Sequence, residues 1–272
     1  MQDTKPTIVL VPGAWLPSTA YAEWTARLEQ EGYPVLVTAY PSFDAPDPQH
    51  ADVAGDAAAI RTTLSRLVHD KSRDVVLVMH SYGGMPGSSA ARGLGAAERR
   101  RTEDPLAPRG HGGGILGLVY VTAFIVPENT SCAGMTGGKL APWVQDDTPG
   151  PGLNVPQDPG NMFRHGFTAV EADRLGALCR PHATLAFTSI QPPSALSLGE
   201  HAWKGRLGYL KTARDDEIPE AAQDAMMHSV GQDWIARSIN GSHMSPFGGQ
   251  YLEQSIKILM EMIEAFTSAN TD

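Results

Sequence analysis

Short apolar runs rich in Val, Ile and Leu recur along this 272-residue chain, at Thr7–Val11, Val35–Ala39, Val75–Met79, Leu116–Thr122, Leu207–Lys211 and Trp234–Ile239, each bounded by Gly, Pro, Asp or Asn. Runs without polar alternation predict strands buried on both faces. Between them lie helical patterns. Tyr21–Gln30 predicts a helix with Gly32 as its C′ residue, and Asp52–His69 sets Val53, Ala57, Ile60, Leu64, Leu67 and Val68 at three- and four-residue steps, one apolar stripe. Ala221–Val230 can form another helix. The alternation predicts an α/β class fold, a mostly parallel, doubly wound sheet with helices on both faces.

Two stretches break the rhythm. Residues 96–114 are charged, then Pro- and Gly-rich, and read as an exposed loop in which Arg99–Arg101 is a solvated face. From Pro127 to about His201 the sheet pattern disappears and only Thr168–Leu178 is convincingly helical. Such a length is too long for a plain connection, so residues 127–201 are expected to form an inserted cap or lid on a core built from 1–126 and 202–272.

Composition narrows the function classes. With 21 Lys+Arg against 30 Asp+Glu the formal net charge is −9, which disfavours nucleic acid and anionic membrane surfaces as partners. The 28 glycines and 21 prolines indicate a loop-rich globular protein, short of the roughly 25–30% at which disorder is the better reading. Cys132 and Cys179 are too few for a disulfide framework or a four-ligand zinc site. The start MQDTKPTIVL lacks the apolar stretch of a signal peptide, so a reduced, cytoplasmic location is expected. No histidine pattern suits a metal site. Gly112–Gly117 matches a dinucleotide fingerprint by spacing alone, because it leads into a strand instead of opening a helix.

Val75-Val76-Leu77-Val78-Met79-His80-Ser81-Tyr82-Gly83-Gly84 carries more information: a buried strand runs into a tight turn with serine at its apex. Strand and following helix approach closely there, so a small residue must sit two positions after the serine, and Gly83 supplies it. A serine hydroxyl needs a base, and the base needs a group to hold its tautomer. Asp215 follows the Leu207 strand, with Asp216 and Glu217 beside it as competing carboxylates, and His243 lies on the loop after the last strand. Strand C-termini of a parallel sheet share one edge, so Ser81, Asp215 and His243 can converge. Oxyanion donors are expected at the Tyr82 N–H, next to the serine, and at the Ala14 N–H, on the turn after the first strand. His80 reads as structural. Trp15, Phe124, Trp143 and Met244, with Met135, Phe163 and Phe187, are candidates for an apolar substrate pocket.

In that order and spacing, VLVPGAW, VLVMHSYGG, KTARDDEIP and NGSHMSPF resemble the small α/β-hydrolases that include plant methyl-ester esterases, hydroxynitrile lyases and many microbial hydrolases. The resemblance implies the α/β-hydrolase fold with Ser81 as nucleophile, His243 as base, Asp215 as orienting acid, Ala14 and Tyr82 as oxyanion donors, and no cofactor. Met244 is similar to the esterases, where the lyases carry lysine, and Tyr82 departs from the cysteine that follows the lyase serine. Met79 stands where the elbow normally has its first glycine, and Pro12-Gly13 replaces the usual His-Gly. The expected activity is hydrolysis of a carboxylic ester, lactone or thioester of a small apolar molecule through an acyl-enzyme. The alternative is lyase, C–C cleavage or cyclisation chemistry in the same pocket.

Overall fold

The apolar runs form one six-stranded sheet. In the computed structural model, which describes residues 5–102 and 113–269, the strands are β1 (Thr7–Val11), β2 (Val35–Val37), β3 (Val75–His80) and β4 (Ile115–Val121), with β8 (Leu207–Thr212) and β9 (Ile235–Ile239) after the inserted segment. They lie in the order β2-β1-β3-β4-β8-β9, every adjacent pair parallel. The expectation of a mostly parallel sheet is therefore met by a sheet that is parallel throughout. Strand periodicity divides the core in two. Val9, Val11, Val75, Leu77 and Met79 point into one apolar cluster, whereas Ile8, Leu10, Val76 and Val78 point into the other.

Helices cover both faces. On the first lie α2 (Val53–Ser65), whose N-cap Asp52 accepts from the Gly55 N–H at 2.7 Å, and α3 (Gly84–Ala91). One further turn, Arg66–Asp70, extends α2 over the expected range. On the other face lie α1 (Ala22–Gln30), ended by Gly32 at φ 81°, and α9 (Leu252–Ser268). The expected helix at 221–230 forms as α8 (Glu220–Val230); the elements expected from the pattern stop at the His243 loop, and α9 is an addition. It buries Ile256, Leu259, Ile263 and Phe266 at helical spacing. Gly117 and Gly208 let it lie close: a Cβ on either would meet Phe266 at 2.2 Å or the Met262 sulfur at 2.7 Å.

The interrupting stretches are more ordered than expected. Residues 96–102 form α4 (Ala96–Thr102), not loop, and Arg99 contacts the His69 Nδ1 at 2.6 Å. Residues 103–112, including Gly112 of the discarded fingerprint, lie outside the described residues. The 127–201 stretch holds a small antiparallel sheet of β5 (Val144–Asp146), β6 (Leu153–Pro156) and β7 (His182–Ala183). Strands of two to four residues are too short to leave a periodic signal. Helix α5 (Ala169–Gly176) has the capping box Thr168/Glu171, followed by α6 (Thr184–Thr188) and α7 (Glu200–Trp203). Not all of this stretch overlies the sheet edge: Met162, Phe163, Ala172 and Leu175 are buried in the same cluster as α9. Among the described residues no helix is long and apolar enough to cross a membrane.

Candidate active site

The chain reverses direction across the sheet between β1 and β3, and the loops after these strands flank that switch point, where open α/β sheets bind ligands. Ser81 follows β3 at φ 50°, a left-handed conformation that a residue with a Cβ holds only when its surroundings enforce it. The Phe124 N–H donates to the Ser81 carbonyl at 3.0 Å. Two glycines let the β1 loop lie against the elbow. A Cβ on Gly83 would sit 2.5 Å from the Pro12 carbonyl oxygen, and one on Gly13 would sit 2.6 Å from the His80 Nδ1. The Gly13 N–H donates to the Tyr21 hydroxyl at 2.8 Å, which in turn shares a hydrogen bond with His80 Nδ1 at 2.8 Å. His80 thereby ties the elbow to the β1 loop. Burial and the neighbouring His243 ring, 4.7 Å away between centroids, hold its pKa well below the usual histidine value.

Asp215 and His243 meet as the strand order allows. The His243 Nδ1–H donates to Asp215 Oδ2 at 2.8 Å, and both side chains are almost wholly buried. Asp216 is exposed, so of the competing carboxylates it is Asp215 that reaches the imidazole. The Asp215 carboxylate is saturated. Oδ2 also accepts from the Thr122 and Thr212 hydroxyls, and Oδ1 from the Glu217 and Ile218 N–H groups at 3.0 and 2.8 Å. Burial alone would raise this carboxyl, but the His243 charge and these hydrogen bonds hold it below the ordinary carboxylate range. Burial disfavours charge on His243 too. The Asp215 charge and hydrogen bond, with a further contribution from Glu217, outweigh that and raise its pKa. With Nδ1 donating to Asp215, the lone pair of neutral His243 is on Nε2, the form a general base requires.

Ser81 lines a cavity of about 530 Å³ including its mouth. Ala14 and Trp15 after β1, Phe124 after β4, and Glu217 and Ile218 after β8 supply its sheet-edge wall; Cys132, Leu140, Trp143 and Phe187 belong to the inserted segment. Trp15 organises the aromatic side. It stacks on Phe187 at 5.5 Å, meets Trp143 edge-on at 5.6 Å, and donates its indole N–H to Asn154 Oδ1 at 2.9 Å. Trp15, Phe124, Trp143 and Phe187 thus line the cavity. Met244 does not: it is wholly buried in the α9 cluster, its N–H held by the Met162 carbonyl at 2.9 Å. A residue directly after the histidine is carried to the opposite side of the loop, away from the cavity. Phe163 is buried in that cluster as well, and Met135 is largely exposed.

Ala14 shares the cavity wall with Ser81, one residue beyond the pinned Gly13. Tyr82 lies in the first turn of a 3-10 helix (Ser81–Gly83), where an amide N–H has no acceptor inside the helix. Its hydroxyl is drawn the other way, donating to Asp56 at 2.5 Å; Ser42 donates to the same carboxylate through its N–H and hydroxyl. Burial raises Asp56 to about 6.

Pattern reading missed Tyr21, which links Gly13 to His80, Asp56, which accepts from the Tyr82 hydroxyl, and Thr122 and Thr212, which donate to the Asp215 carboxylate. Thr122 carries a trace of its role in sequence: it ends an apolar run beside the strand leading to Asp215, and it too holds a positive φ, 38°. Asp215, Glu217 and His243 have ligand atoms within 4.8 Å of one another. The hydrogen bonds on both Asp215 oxygens and the use of His243 Nδ1 leave that set poorly suited to a common ion.

The sequence and the fold are each similar to those of known proteins. A "Probable hydrolase R7" of Phoma sp. is 32% identical over 137 residues, 50% of each protein. A carbendazim hydrolyzing esterase of Nocardioides sp. is 30% identical over 140 residues, 50% of this chain and 49% of that protein. The matches thus span about half the length of these curated relatives. The crystal structure of polyneuridine aldehyde esterase superposes with a TM-score of 0.68 at 18% identity, covering 94% of this chain and 99% of that one. Residues 8–251 match the model of the alpha/beta hydrolase family, and the chain belongs to that family.

Proposed function

We propose that the protein is a serine hydrolase of carboxylic esters of small, largely apolar molecules. The observation that carries this reading is the buried His243–Asp215 pair beside a strained serine at the wall of an apolar cavity. Ser81 attacks the ester carbonyl while His243 takes its proton; the Ala14 and Tyr82 N–H groups hold the oxyanion. His243 returns the proton to the departing alcohol, and water then cleaves the acyl-enzyme by the same route in reverse. Asp215 keeps the imidazole in its working tautomer and stabilises its charged form. Residues 127–201 act as the cap that supplies the apolar wall. The relatives named as hydrolase and esterase are consistent with this chemistry. A fluorophosphonate should add one adduct at Ser81, read by intact mass, and Ser81→Ala should abolish it. Labelling at another serine, such as Ser245, would overturn the assignment.

A further inference from the structure

Glu217 is a carboxyl in the wrong company. It lines the cavity that Ser81 opens on, beside Ile218, in a wall that is mostly aromatic and aliphatic and whose other polar side chains are Ser81, Thr136 and Lys139. One of its oxygens, Oε1, accepts from the Asn161 side-chain amide at 2.9 Å, which fixes the head group. The other, Oε2, is buried and has no hydrogen-bond partner among the described residues. A buried carboxyl oxygen left unpaired is costly, and a folded protein keeps one where something else completes it. The place of this carboxyl says what that is. The Glu217 carboxyl has an oxygen within 4.8 Å of a ring nitrogen of His243, the group that delivers a proton to the departing alcohol, so this end of the cavity borders the alcohol side of the scissile bond.

We infer that Glu217 is a specificity-determining residue that binds a hydrogen-bond donor on the alcohol portion of the substrate, making the preferred substrates esters of hydroxylated or N–H-bearing alcohols. This rests on the ester-hydrolase reading and adds to it the chemical class of the leaving group. The apolar acyl part then lies toward Trp15, Trp143 and Phe187, on the Ala14 side. A neutral donor fits better than an ammonium, because Lys139 also lines the cavity and repels a second cation. Burial and the Asp215 charge also raise Glu217 to about 7, so near neutrality it interconverts between carboxylate and acid, and Oε2 accepts in the first form. Glu217 itself remains outside the bond-making steps.

The test uses 2-hydroxyethyl phenylacetate and n-propyl phenylacetate, which differ by one hydroxyl for one methyl and share the acyl group. In the natural chain the ratio of their kcat/KM values should favour the hydroxyl ester by roughly 10- to 100-fold. Glu217→Leu should bring the ratio within about threefold of unity. Glu217→Gln, which keeps an oxygen for Asn161 but turns an N–H donor toward the substrate, can meet only the lone pairs of the hydroxyl and should retain at most part of the preference. The same pair titrated into Ser81→Ala and Ser81→Ala/Glu217→Leu, followed by the fluorescence of Trp15 and Trp143, reads the preference as a ratio of Kd values without turnover. A ratio unchanged by Glu217→Leu in both measurements overturns the inference, as does the absence of any hydroxyl preference in the natural chain. Failure of the ester-hydrolase reading is distinct: neither ester is cleaved and the fluorophosphonate leaves Ser81 unmodified, while the binding ratio still decides the role of Glu217.

Discussion

Gly83→Ala probes the contact on which the proposed oxyanion site depends. Gly83 has φ −55° and ψ −19°, a conformation alanine adopts readily, so backbone strain does not enter. The obstacle is space. The new methyl would lie 2.5 Å from the Pro12 carbonyl oxygen and 2.6 Å from that of Val11, whereas real Cβ atoms essentially never come within 3.0 Å. Both neighbours are backbone, so no side chain can swing aside, and the β1 loop must retreat from the elbow by about half an ångström or more. That loop carries Ala14, one of the two proposed donors. A misplacement of about 1 Å costs on the order of 100-fold, and loss of a whole donor 10²–10³-fold, so kcat should fall by roughly 10- to 100-fold. Stability should change less. Overpacking costs about 1–3 kcal/mol, partly offset by the roughly 0.5–1 kcal/mol that alanine gains over glycine in a helical turn. Steady-state kinetics on p-nitrophenyl butyrate and urea unfolding separate the two effects. A variant with unchanged kcat would refute the idea that loop and elbow set the oxyanion geometry through this contact.

Four further outcomes concern the same site and its elbow. Asp215→Asn should lower kcat by up to roughly 10⁴-fold by favouring the wrong imidazole tautomer, on the precedent of the serine-protease aspartate, while exposed Asp216→Asn should do far less; the reverse ranking in steady-state assays would move the acid. Met79 is fully buried and its Cγ and Sδ occupy the space beside Gly87, 2.8 Å from where a Cβ would stand. Met79→Gly should therefore cost about 2–5 kcal/mol in urea melts without a gain in rate, and a variant equally stable and markedly faster would show that the methionine obstructs the elbow. The base must be neutral to work and its pKa is raised, so kcat/KM should fall as pH drops through a limb lying above the usual histidine value of about 6.5. Glu217→Gln removes one of the charges that raise His243 and should move that limb to lower pH; a pH profile that stays put would contradict the coupling.

What the sequence determined by itself was local or periodic. Continuous apolar runs suit interior strands of a parallel sheet, so the buried strands β1, β3, β4 and β8 were legible from composition and spacing, whereas β2 and β9 lie at the sheet edges and are not buried on both faces as the pattern predicts. The elbow was legible too, because a serine after a buried strand with glycine two residues on has few other uses. Only the folded chain decided what depends on distant pieces meeting. Asp215 is favoured over the adjacent Asp216 by spacing alone, and burial beneath Thr122 and Thr212 is what separates them. Met244 adjoins His243 in sequence yet faces the α9 core, since a loop turns successive side chains in different directions. The short strands of the inserted segment pair with partners up to about 30 residues away, a distance over which no period survives. Glu217 reads in sequence as one more acid in a charged turn. Its meaning arises from a cavity whose other walls come from residues 14 to 187, placed beside it by tertiary packing alone.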